Sequence, residues 1–120
     1  MAHYVDGFVL PLKKENVAVY RRIALKASKI FRELGALEYR ECVGDDLDSK
    51  MAMPFPRGIK SKPGETVVFA YIVYKSRAHR DRVNAKIMND PRIAAMCDPE
   101  NTPFDCSRML YGGFKTIVKA

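Results

Sequence analysis

Between Thr66 and Tyr74 the chain reads TVVFAYIVY, and from Val67 to Val73 no residue of either parity is charged. Successive side chains of a strand point to opposite faces of its sheet. A strand with one wet face should therefore alternate apolar with polar residues, whereas a continuous apolar run belongs to a strand covered on both sides. A chain carrying such a strand needs two apolar covers for one sheet.

Elements able to supply them follow from the periodicity. HYVDGFVLPL (residues 3–12) is rich in aromatic and β-branched residues and reads as a strand, with Pro11 limiting its pairing near the end. From residue 14 to about 34 the period changes: Val17, Tyr20, Ala24, Ala27, Phe31 and Leu34 recur at spacings of three and four. Lys14, Arg21, Arg22, Lys26, Lys29 and Arg32 fall opposite that stripe, and Gly35 stands where a helix stop favours glycine. ALEYRECVGDD (36–46) returns to alternation and ends on a Gly-Asp-Asp turn signal, where Asp45 and Asp46 can cap local N–H groups. The third strand spans residues 65–74. Ser76 is a fit N-cap for a second helix with Val83, Ile87 and Met88 inward, and Pro91 sets its limit. A loop (MCDPENTPFDCS) leads to a last strand over 108–120, in which Gly112-Gly113 signals a bulge or close packing.

The order is βαββαβ, the α+β ferredoxin-like arrangement: a four-stranded antiparallel sheet with two helices on one face. No repeat or linker interrupts it, and 120 residues suit a single domain, 1–120. Both crossover helices lie on the same face, so the second cover must come from elsewhere. Sheet-to-sheet packing of a homodimer supplies it; the alternative is a modestly apolar face left open. The segment 47–64 has no clear period, and Met51, Met53 and Phe55 within it suit a lid or an arm across the dimer, with disorder the alternative.

The remaining bulk features exclude classes of function. The longest apolar run falls well short of the roughly 18 residues of a membrane helix. No basic stretch precedes a long apolar one at the N-terminus, so no signal peptide is expected. Cys42, Cys97 and Cys106 are odd in number and scattered, which favours free thiols in the cytoplasm over a disulfide frame or zinc site. With His3 and His79 the only histidines, no metal, haem or other cofactor is expected. The net charge of +7 raises nucleic acid as a partner, and the RNA recognition motif shares the element order. TVVFAYIVY lacks the basic and glycine positions that motif requires, and much of the charge lies on the outer face of the first helix, so nucleic acid is not the expected partner.

The blocks YVDGFVLPL, GALEYRECVGDD, TVVFAYIVYKSRAHRDRVNAKIMNDPR and PFDCSRMLYGGF resemble the YbaA-like family of uncharacterised bacterial proteins along nearly the whole chain. The resemblance implies membership of the dimeric α+β barrel superfamily, in which two ferredoxin-like protomers pack sheet to sheet. That superfamily includes cofactor-independent monooxygenases, isomerases, haem-degrading enzymes and ligand-binding stress proteins. The resemblance carries no established activity. Tyr71 departs from relatives that often have tryptophan there.

One electrostatic anomaly points to a candidate site. Acids are favoured in the first turn of a helix, yet here Arg77, His79, Arg80 and Arg82 crowd it against Asp81 alone. In a ferredoxin-like sheet that turn lies near the start of the first two strands, which hold Asp6, Glu38 and Glu41. Asp6 is itself anomalous, a carboxylate in an apolar strand that would protonate unless paired. Asp6, Glu41 and His79 are candidate acid–base residues; the alternatives are an ion-pair latch and free solvation of the cations. Tyr39, Tyr71, Arg80 and Tyr111 are candidate ligand-binding residues, against the alternative that aromatic residues in strands are core. Two functional readings result: a dimer that binds a small organic ligand or acts as a cofactor-independent monooxygenase or isomerase, and a non-catalytic structural or stress-associated dimer.

Overall fold

The computed structural model describes residues 2–96 and 102–120. In chain order it comprises β1 (Tyr4–Lys13), α1 (Val17–Glu33), β2 (Glu38–Val43), α2 (Phe55–Gly58), β3 (Glu65–Tyr74), α3 (Arg77–Met88), α4 (Pro91–Met96) and β4 (Leu110–Lys115). The sheet order is β2-β3-β1-β4 and every neighbouring pair is antiparallel. This is the ferredoxin-like arrangement that the element order implies.

Register decides which side chains share a face. Tyr4 pairs with Tyr74 and Lys13 with Glu65, so even-numbered residues of β1 and β3 point the same way. Leu10, Leu12 and Val68 form one core cluster on that side, with Val17 and Tyr20 of α1 against it. Ile72 and Tyr74 join Ile30 of α1 with Val83 and Ile87 of α3 in the other. Both long helices thus cover one face.

The stops and starts have local causes. Gly35 adopts a φ of +124°, and a Cβ there would lie 3.3 Å from both His79 Nε2 and Val83 Cγ2, so glycine serves both the turn and the packing. The Ser76 hydroxyl accepts from the His79 N–H at 3.1 Å, the expected N-cap.

Other boundaries differ from expectation. Residues 14–16 form a 3-10 turn, so α1 begins at Val17 rather than Lys14. β2 is shorter than 36–46, because Gly44 donates to Val67 O and the chain then folds Leu47 back against Gly44. Within 47–64, expected to lack regular structure, Phe55–Gly58 form a short helix opened by Pro54 and Pro56. Met88 is 81% exposed rather than inward: it lies five residues, about 140°, round the helix from Val83. Pro91 opens α4 instead of only closing α3, as proline can in a first helical turn. The last strand is confined to Leu110–Lys115, preceded by a 3-10 turn at Cys106–Arg108. Gly112 and Gly113 make no bulge; they pair one to one with Gly7 and Asp6. Cys97 and residues 97–101 of the expected loop lie outside the described residues.

The opposite face carries Val5, Val9, Val67, Phe69, Tyr71, Val73, Leu110 and Phe114 by the same register. Phe114 is 62% exposed, Leu110 58% and Phe69 45%. The Phe114 ring lies over Gly7 and Gly112, where any Cβ would touch it at 3.4–3.5 Å. Towards β2 the face turns polar, with Arg40 paired to Glu38 at 3.0 Å and set over the Tyr71 ring. Among the described residues no helix is long and apolar enough to cross a membrane.

Candidate functional site

Asp6 is an even-numbered residue of β1, so the pleat that buries Leu10 and Leu12 also turns its carboxylate beneath the helices, where it is 1% exposed. Two elements bring partners to it. Arg80 and Asn84 are four residues apart on α3 and project from one face of that helix. Tyr111 enters from β4, opposite Phe8 and two residues from Gly113.

Arg80 is held mainly by tyrosines. Its Nη1 donates to the Tyr111 hydroxyl at 3.2 Å and its Nη2 to the Tyr4 hydroxyl at 3.1 Å. Its Nε stands 3.8 Å from Asp6 Oδ1 and 3.3 Å from Asp81 Oδ1. The Asp6 Oδ1 and Arg80 Nε atoms are buried and make no hydrogen bond. Glycine at 113 makes this possible, since a Cβ there would collide with the Tyr4 hydroxyl and lie 2.9 Å from Arg80 Nη2.

Burial raises the Asp6 carboxyl above its ordinary value, against the opposing pull of Arg80 and of side-chain hydrogen bonds from Tyr111 and Asn84. The Tyr74 hydroxyl, which donates to Asn84 Oδ1 at 3.5 Å, is pushed up by burial and then by Asp6. Beside this polar end opens a cavity of about 240 Å³ with walls from Phe8, Phe31, Ile72 and Ile87 and with Met88 also on its lining. The Phe8 and Tyr111 rings lie 4.9 Å apart. A carboxyl whose pKa burial raises is better placed to take or give a proton than an exposed one; the adjacent guanidinium and phenol can hold a developing negative charge.

The other candidates lie elsewhere. Among the described residues His79 pairs with no carboxylate: its Nδ1 accepts from the Lys75 N–H at 2.9 Å. Burial, then Lys75, Arg82 and Lys86, lower its imidazole pKa against a hydrogen bond to the Gly35 backbone. It ties the start of α3 to the turn between α1 and β2. Arg77 and Arg82 are exposed, so Arg80 alone of the first-turn cations meets one of the expected acids. Neither Glu38 nor Glu41 reaches α3; the two have opposite parity on β2. Glu38 accepts from the Tyr71 hydroxyl at 3.2 Å on the far face of the sheet, so Tyr71 lines neither cavity. Glu41 accepts from Tyr20 at 2.6 Å and Tyr39 at 2.7 Å in a separate cavity between α1 and β2.

Of the candidates named from the sequence, Asp6, Arg80 and Tyr111 come together. Tyr4, Asn84 and Gly113 complete the site without having been singled out for it. Tyr4 shares its strand parity with Asp6, Asn84 follows Arg80 by one turn, and the double glycine marked a close approach. Among the described residues no three histidine, cysteine or acidic side chains are grouped to hold a metal ion.

Comparison with known proteins gives a consistent picture of kinship and fold. The model of the family described as protein of unknown function, DUF1428, matches residues 3–106. The uncharacterised protein YbaA of Escherichia coli strain K12 is 41% identical over 115 residues, covering 96% of this chain and 97% of that protein. The YbaA of Shigella flexneri matches with the same identity and coverage. A crystal structure of a NIPSNAP family protein of unknown function from Agrobacterium tumefaciens aligns with a TM-score of 0.58 at 12% identity, over 95% of this chain and 87% of that one. A dimeric ferredoxin-like protein from an uncultured marine organism aligns with a TM-score of 0.59 at 9% identity over the full length of both. At such identities these two likenesses are of fold.

Proposed function

This chain belongs to the DUF1428 family of proteins of unknown function, and from that premise we propose that it binds a small organic molecule in the Asp6 cavity, with Asp6 handling a proton on the bound ligand. One observation carries the reading: a carboxylate oxygen that is buried, without a hydrogen-bond partner, and set at the polar end of a cavity with apolar walls. Buried polar groups are almost always satisfied, and an exception calls for a reason. A ligand N–H or O–H would satisfy this one. The aromatic walls suit a flat, largely apolar body. Chemistry there is acid–base and cofactor-independent, of the isomerase or monooxygenase type.

The active assembly is a homodimer in this reading, joined through the apolar far face around Phe69, Leu110 and Phe114. Their exposure supports it, as does the dimeric state in the name of one structural neighbour. Its compartment is the cytoplasm, where the exposed Cys42 and Cys106 remain thiols. A second reading has the Arg80 clamp on Tyr4 and Tyr111 in its favour: a latch that fixes α3 to the sheet in a non-catalytic dimer.

Native mass spectrometry of the protein purified from its host separates them. The ligand reading expects a co-purifying small molecule that Asp6→Asn loses while staying folded. If both proteins are bare, and no member of a small aromatic library moves the amide resonances around Asp6, the latch reading stands instead.

A further inference from the structure

We propose that the groove between α1 and the β2 edge is a second binding site, separate from the Asp6 cavity, and that it takes a small apolar amine in its protonated form. The groove encloses about 340 Å³, with Leu12, Val17, Ala24, Leu25 and Val68 among its walls. Its polar end is Glu41, with Tyr20 and Tyr39 on either side.

Counting protons identifies the ligand's head. A phenol has one hydrogen to donate. Tyr20 gives its hydrogen to Glu41 Oε1 at 2.6 Å and Tyr39 gives its own to Oε2 at 2.7 Å. Burial and the neighbouring Glu41 push both hydroxyls above the usual phenol range, so they keep those hydrogens. What the three groups still offer a ligand is lone pairs. An occupant must therefore donate.

Charge narrows the choice further. Glu41 lies on the helix-covered side of the sheet, and its two side-chain hydrogen bonds come from neutral phenols, which bring no positive charge to it. Among the described residues Glu41 joins no ion pair. Arg21 lines the rim, but it is exposed and its charge is solvated. An ammonium carries three donors, enough for the carboxylate and a phenol oxygen together. An anion would be repelled, and a neutral alcohol would bond without neutralising the charge.

The test titrates the intact protein with phenethylamine, its neutral isostere 2-phenylethanol and phenylacetate, following backbone amide shifts. Phenethylamine should move Tyr20, Tyr39 and Glu41, the alcohol should bind about tenfold more weakly, and phenylacetate should leave these resonances in place. Glu41→Gln should weaken the amine by about tenfold or more, while Asp6→Asn leaves its affinity unchanged. Leu25→Trp, which fills the groove from a half-exposed position, should also abolish binding; it serves as the deciding variant if Glu41→Gln does not fold. The proposal is overturned if amine and alcohol bind equally. It is equally overturned if the shifts map to the Asp6 cavity, if neither variant weakens the amine, or if millimolar amine produces no shift.

Discussion

Arg80 Nε stops 3.8 Å from Asp6 Oδ1, and neither atom completes a hydrogen bond. The pair is close enough for attraction and too far for the bond that normally offsets a buried charge. Arg80 takes its orientation instead from Tyr4 and Tyr111, at 3.1 and 3.2 Å. Asp6 is thereby left with unspent acceptor capacity, which is the property a ligand could use.

Replacing Asp6 by asparagine is therefore expected to stabilise the free protein at neutral pH, by about 0.5–2 kcal/mol. The sign follows from linkage. Burial raises the folded-state pKa of Asp6 above 3.8, so its favourable contribution is present below 3.8 and is lost as pH rises through the raised value. Asparagine resembles the protonated form. Thermal melts from pH 3 to 8 should show the two proteins converging in acid and the variant ahead at neutrality; a variant less stable at pH 7 would assign Asp6 to the latch.

Gly113→Ala tests the same cluster sterically. The added Cβ meets the Tyr4 hydroxyl and Arg80 Nη2, both fixed by their mutual hydrogen bond. Overpacking of this kind costs about 1–3 kcal/mol, readable as a lower urea midpoint. Gly64→Ala is a useful contrast, since its φ of +84° strains the backbone while a Cβ there meets nothing within 4 Å. Loss of fluorescence or resonance changes at Tyr4 only in the first variant would locate the effect.

How much of this was legible in the chain depends on range. The strand through Val67–Val73, the stop at Gly35 and the cap at Ser76 are local signals, and each element forms where expected. Asp6 meeting Arg80 was readable because topology alone brings the end of β3 to the start of β1. The expectation that Glu38 and Glu41 would both flank Arg80 neglected strand parity, which sends them to opposite faces. Met88 was assigned inward by ignoring the 140° that separates it from Val83. No local pattern announces that Arg108 will reach Glu65, because the two are distant in sequence and meet only once the sheet has formed.

That last contact carries its own pH signature. Arg108 Nη1 lies 2.7 Å from Glu65 Oε2 and Nη2 donates to Oε1 at 2.9 Å, while the Lys62 N–H donates to Oε1 at 2.6 Å. These bonds, Arg108 first, lower the Glu65 carboxyl from 4.5 to about 2. A lowered acid contributes stability that is present above 4.5 and lost as pH falls towards about 2. Acid unfolding of Arg108→Ala should be less steep across that window, and the variant should be less stable than the parent at pH 7, with the two converging in acid.

The far face of the sheet makes the strongest demand on the assembly. Phe69 on β3 and Leu110 and Phe114 on β4 present apolar area on either side of β1, with the Phe114 ring lying over Gly7 and Gly112. Contiguous exposed apolar patches of this kind mark interaction surfaces, and a two-fold contact between identical faces needs no other chain. Phe114→Lys would set a charge at the centre of that contact, where desolvation outweighs any gain, and would leave the helix-covered core untouched. Sedimentation should then show a dimer for the parent protein at micromolar concentration and a folded monomer for the variant. A parent protein that sediments as a monomer would show that water, not a second copy, covers Phe114.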